Sequence, residues 1–164
     1  MKDLSTFLND HLAGSIGAIK MVEDLRDTHE GQPLERFLKT LGEDIQSDQR
    51  DLKRLMKALG IKEGKVRKAG AWIAEKASHV KLRVADVGEA NLALLQSLET
   101  LSVGIFGKRL LWRTLDAAIA GTARKAGLDL ATLEKRAAKQ FERVEQQAFE
   151  IARQIFTREV PRGE

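Results

Sequence analysis

Between Pro33 and Gly60, apolar side chains recur three and four residues apart: Leu34, Phe37, Leu38, Leu41, Ile45, Leu52, Leu55, Met56 and Leu59. That spacing lays them along one face of a helix. The stripe has one gap, at Asp48, where the period asks for a hydrophobe. A carboxylate turned toward a core needs a hydrogen bond, a cation or a metal. Asp48 is therefore the first candidate functional residue. Pro33 opens this helix and Gly60 suits the position just past its end.

The same reading predicts three further long helices. The first runs from about Asp3, its N-cap, to Asp27, with a stripe of Leu4, Phe7, Leu8, Leu12, Ser15, Ile19, Val22 and Arg26. Gly14, Gly17 and Ala18 interrupt it, and small residues in a helix predict a closely approaching neighbour. The turn His29–Gln32 is short, so the first two helices are expected to be antiparallel. Asp86 caps a third helix from Val87 to about Ala126, striped by Leu92, Leu95, Leu98, Leu101, Ile105, Trp112, Leu115 and Ile119. Gly104 and Gly107 within it suit a kink or close packing, and Gly121 and Gly127 an early end. Asp129 caps the fourth, from Leu130 to about Arg158, whose seam is Ala137, Phe141, Val144, Ala148, Ile151 and Ile155. Pro161 marks the tail. Residues 61–88 connect the second and third helices, with a shorter amphipathic helix around Val66, Ala69, Trp72, Ile73, Ala77 and Val80. The expected fold class is all-α: a four-helix bundle with a long helical crossover between helices 2 and 3, in one domain over residues 1–164.

Composition narrows the function classes. Aromatics are 5% of the chain, with no Tyr, which argues against a sheet. There is no Cys, which excludes disulfides, thiolate metal sites and Cys nucleophiles and suits a reducing, cytoplasmic setting. No run reaches the roughly 18 apolar residues of a membrane span, and the acidic start Met1-Lys2-Asp3-Leu4 does not read as a secretory signal. Between Ile61 and Ala85, seven basic side chains (Lys62, Lys65, Arg67, Lys68, Lys76, Lys81 and Arg83) face two acidic ones, in a chain whose net charge is +4. The basicity belongs to the connection. Flanking Trp72 and Ile73, it suits contact with an anionic membrane or with nucleic-acid phosphates. It equally describes a helix packed across the bundle with solvated lysines. Helix-turn-helix spacing, zinc-finger ligands and stacking aromatics are missing, so sequence-specific nucleic-acid recognition is not expected.

Reflecting the first helix onto the second brings His11 within about one turn, roughly 5 Å, of Asp48. Carrying the reflection through the crossover adds Glu99 and Gln147 to a mid-bundle polar layer. His11, Asp48 and Glu99, converging from three helices, have the ligand chemistry for Fe, Mn or Zn. The alternative is a hydrogen-bonded layer that sets helix register without a metal. Other patterns fail on spacing. Gly104-Ile105-Phe106-Gly107-Lys108 has Arg109 where a phosphate loop needs a hydroxyl, and follows no strand. His11, His29 and His79 lack a nucleophile elbow. Glu43, Asp44 and Asp51 fall off the apolar stripe and read as a solvated face. Trp112, beside Arg109 and Arg113, and Trp72 are candidate interface anchors, with a core position as the alternative.

The layout, with the acidic mid-helix segment Glu43-Asp44-Ile45-Gln46-Ser47-Asp48-Gln49-Arg50-Asp51-Leu52, resembles the ferritin-like superfamily. Leu8-Asn9-Asp10-His11-Leu12-Ala13-Gly14, Leu98-Glu99-Thr100-Leu101 and Gly107-Lys108-Arg109-Leu110-Leu111-Trp112-Arg113 are similar to a family of small bacterial helical proteins without an assigned activity. The resemblance covers most of the chain and implies the bundle fold. Di-metal members carry Glu-x-x-His on two helices. This sequence carries none, and His79 follows Glu75 by four. The resemblance therefore implies the fold without the oxidative chemistry. The resulting expectation is a non-enzymatic protein without a cofactor, acting by association with itself or a protein partner. A ferritin-like metal site and anionic-surface binding through the crossover are the alternatives.

Overall fold

The structure is a computed structural model that describes residues 1–64 and 87–160. The described residues are all-helical: α1 Lys2–Thr28, α2 Pro33–Ala58, α3 Val87–Lys125 and α4 Leu130–Glu159. The helix in the connection, the Asp86 cap and Pro161 lie outside them.

Helix ends follow local chemistry. Pro33 sits in the first turn of α2, where its missing N–H is no loss. Asp129 caps α4, its side chain accepting from the Thr132 N–H at 3.1 Å. α1 differs from expectation: its N-cap is Met1, and Asp3 lies within the first turn, where a carboxylate favours the helix dipole. α2 and α3 both end in a two-bond glycine cap. Gly60 N–H reaches Lys57 O at 3.1 Å and Ile61 N–H reaches Met56 O at 2.9 Å. Gly127 N–H reaches Arg124 O and Leu128 N–H reaches Ala123 O, both at 3.0 Å. Each cap requires a left-handed residue, supplied by Gly60 (φ 68°) and Gly127 (φ 75°). α3 breaks helical geometry at Ile119 (φ −141°, ψ 28°), two residues before Gly121, and stays helical through Gly104 and Gly107.

The short turns make two antiparallel hairpins, α1–α2 and α3–α4. Two core clusters show how the hairpins meet. One gathers Leu8 and Leu12 of α1, Leu52, Leu55 and Met56 of α2, Leu111, Trp112 and Leu115 of α3, and Leu130, Leu133 and Ala137 of α4. The other gathers Met21, Val22 and Leu25, then Leu38, Leu41 and Ile45, then Leu94, Leu98, Leu101 and Ile105, then Val144 and Ala148. Ascending numbers in α2 match ascending numbers in α3, so these two helices run parallel. Between the clusters lies a polar layer.

The predicted stripes hold with local shifts. In α1 the buried face passes through Ala13, Gly17, Met21 and Leu25, while Ser15 and Ile19 are only half-buried. In α3, Leu92 is exposed and the helix instead buries Ala93 and Leu94.

Candidate functional site

Asp48 is 2% exposed and does point into the bundle. Its Oδ2 accepts from the Lys108 ammonium of α3 and, at 3.0 Å, from Gln140 Nε2 of α4. Lys108 also donates to Gln140 Oε1, which closes a three-residue ring across three helices. Asp48 Oδ1 is in ion-pair contact with Arg136 Nη2, although no well-directed hydrogen bond reaches it. Arg136 in turn holds Asp51 Oδ2 at 2.6 Å. Asp48 and Asp51 thus face three cations: Lys108, Arg136 and, on Asp51 Oδ1 at 3.2 Å, the exposed Arg54. Burial holds the Lys108 amine below the usual lysine range, against the opposing pull of Asp48. Desolvation also acts against the Arg136 charge, but Asp51 and Asp48 outweigh it and raise its pKa.

One turn farther along, Arg143 of α4 pairs with Asp44 of α2. Asp44 and Asp51 are therefore half-buried links between the hairpins rather than parts of a solvated face; Glu43 is exposed. Arg109 pairs with Glu134 on the α3–α4 side.

The expected layer of His11, Asp48, Glu99 and Gln147 is assembled only in part. His11 and Asp48 line one cavity. Glu99 is exposed, and Gln147 bonds its own helix neighbour Glu150 at 2.7 Å. The physical reason is register: α3 brings Lys108, not Glu99, to the Asp48 level, and α4 brings Gln140, not Gln147. Among the described residues no three His, Cys, Asp or Glu side chains converge as metal ligands. Trp112 is fully buried and packs against the α1, α2 and α4 core, so it is no exposed anchor. Its indole N–H has no acceptor among the described residues. Lys62 is exposed, its carbonyl accepting from Asn9 Nδ2 at 3.3 Å. Lys65, Arg67, Lys68, Trp72, Lys76, Lys81 and Arg83 lie outside the described residues. None of the described helices is long and apolar enough to cross a membrane.

Reading by spacing left the three partners of Asp48 unnamed, yet two of them follow the rule that picked out Asp48. Lys108 falls between Ile105 and Trp112, and Gln140 between Ala137 and Val144, each three residues after and four before a stripe position. Each is a polar gap in its own stripe.

A cavity of about 290 Å³, partly open to solvent, lies between α1, α2 and α3. Its walls are mostly apolar, with Met21, Ile45, Leu52, Leu101, Ile105 and Trp112 prominent, and His11, Asp48 and Lys108 give it a polar end. Gly14, Gly104 and Gly107 line it, and among the described residues a Cβ added at any of them would meet nothing within 4 Å. The small residues of α1 do not mark close helix approach at Gly14; they leave space. His11 stacks edge-on with Phe7 at 4.8 Å between ring centroids. Burial lowers its pKa from 6.5, with Asp10 opposing, which favours the neutral form of the ring.

No family model, curated protein or solved structure matches the chain.

Proposed function

We propose that this chain is a non-enzymatic helical bundle that acts by association, with a second copy of itself or with a protein partner, through the outer face of α3 and α4. The observation that carries this reading is a set of exposed large apolar side chains. On α3, Val103 is 68%, Phe106 45% and Leu110 43% exposed, at helical spacing on one face. On α4, Phe149 is 52% exposed. The Phe106 and Phe141 rings lie 6.1 Å apart across the hairpin. From that contact, the antiparallel helices carry Val103 and Phe149 off in the same direction, so these two exposed residues lie toward the same end of the hairpin. Aromatic anchors on a contiguous apolar patch are the chemistry of an interaction surface.

Sedimentation equilibrium over a wide concentration range, with wild type and Phe106→Glu/Leu110→Glu, tests it. Wild type should self-associate, or retain a protein partner through purification, and the double variant should do neither while keeping its helical content. A wild-type chain that is monomeric and partnerless, or an association that survives the double change, refutes this surface.

We also read the bundle as ferritin-like in layout, supported by the two antiparallel hairpins and the parallel run of α2 and α3. The metal-binding alternative has to contend with an Asp48 already engaged by Lys108 and Arg136. Stoichiometric Fe, Mn or Zn in the purified protein, lost in both Asp48→Ala and His11→Ala, would restore that alternative.

A further inference from the structure

We propose that the cavity between α1, α2 and α3 is a binding site for a neutral, largely apolar small molecule carrying one hydrogen-bond-acceptor oxygen, which Lys108 Nζ recognises. This site is distinct from the outer face of α3 and α4 and does not depend on it.

Size comes first. An engineered cavity of about 150 Å³ lined by apolar side chains takes up benzene. At about 290 Å³ this one is nearly twice as large. It would accommodate a molecule of about ten non-hydrogen atoms, such as a medium-chain ketone. Gly14 on one wall and Gly104 and Gly107 on the other leave it open, each with no described residue within 4 Å of its missing Cβ. Glycine lowers helix stability relative to Ala. No close helix contact at these three positions offsets that cost.

Polarity comes second. An ammonium has three protons to donate. Lys108 gives two of them to Asp48 and Gln140, on the α2 and α4 side. The third has no acceptor among the described residues, and Lys108 lines the cavity. The ligand oxygen would supply that acceptor. His11, on the opposite wall, adds a second polar edge.

Charge comes third. The Lys108 ammonium is already matched by its ion-pair partner Asp48. A ligand carboxylate would be an uncompensated charge, and Asp10 at the lining would repel it. A ligand cation would meet Lys108. A neutral head avoids both costs.

The test compares three probes of matched size: 2-nonanone, butylbenzene and nonanoate. Binding is read from Trp112 emission in Trp72→Phe, where Trp112 is the sole tryptophan, and from the rise in Tm of the wild-type chain. The ketone should saturate and bind at least tenfold tighter than either of the other two. Gly104→Leu and Gly14→Leu fill the cavity from opposite walls. Both should weaken ketone binding at least tenfold while leaving Tm at or above that of the parent, which separates a filled site from a damaged fold. No saturable binding by any probe overturns the site. Ketone binding that is unchanged in both filled variants overturns its location. Hydrocarbon or carboxylate binding as tight as the ketone overturns the role given to Lys108.

Discussion

The two flanks of α3 are built on opposite plans. Toward α4 and α2 the helix is fully engaged. Lys108 reaches Asp48 and Gln140, Arg109 reaches Glu134, and Ala137 is buried with no exposed surface. Toward α1 the same helix presents Thr100, Gly104 and Gly107 to an open cavity. Glycine has a different meaning on such a flank than at a tight crossing. Gly42, by contrast, sits with its missing Cβ 3.3 Å from Val22 Cγ1 and does serve close approach between α1 and α2. Residue type alone does not separate these two uses; the distance to the neighbouring helix does.

The largest expected effect breaks the engaged flank. Asp48→Ala leaves Lys108 buried without its anion and should cost about 3–5 kcal/mol in urea unfolding. Asp48→Leu combined with Lys108→Met and Gln140→Leu removes both charges together with the buried amide they satisfy, and should recover most of that loss. A triple variant no more stable than Asp48→Ala would show that the layer contributes more than charge matching. Next in size is Ala137→Leu, which forces extra methylenes into the packed side and should cost about 1–3 kcal/mol. Gly104→Ala is the counterpart on the open side. Its Cβ meets nothing, so helix propensity decides, and stability should rise by about 0.5–1 kcal/mol. If Gly104→Ala destabilised the protein instead, the open flank would be misassigned.

The smallest effect is one of pH. His11 has a folded pKa below 6.5, so the native state binds fewer protons than the unfolded chain between those two values. Its contribution to stability is present above pH 6.5 and is lost as pH falls through the folded pKa. From pH 7.5 to pH 5, wild type should lose more stability than His11→Phe, measured by denaturant titration at each pH. An equal loss in the two proteins would mean that His11 is not buried against the cavity.

Much of this was legible along the chain. The four helices and most of their boundaries follow from period and punctuation, because apolar stripes and glycine caps are local signals. The inward turn of Asp48 was legible for the same reason. Its partners were not, because a gap in a stripe tells which way a residue faces but not which level of the bundle it reaches. Counting back through a long connection displaced α3 by more than a turn, so Glu99 stood where Lys108 belongs. The pairing of Asp44 and Asp51 with Arg143 and Arg136 was hidden likewise. Residues at the edge of a stripe look solvated until a neighbouring helix is laid beside them.

The parallel run of α2 and α3 has a consequence for folding order. Within each hairpin, contacts close over a turn of a few residues, and loop closure there is fast and entropically cheap. Every contact between the hairpins must instead wait for the chain from Ala58 to Val87 to bring them together. Hairpin formation should precede docking, and the ion pairs Asp44–Arg143 and Asp51–Arg136 belong to the late step. Substitutions at those pairs should speed unfolding and leave the folding rate nearly unchanged, a pattern that stopped-flow kinetics reads directly.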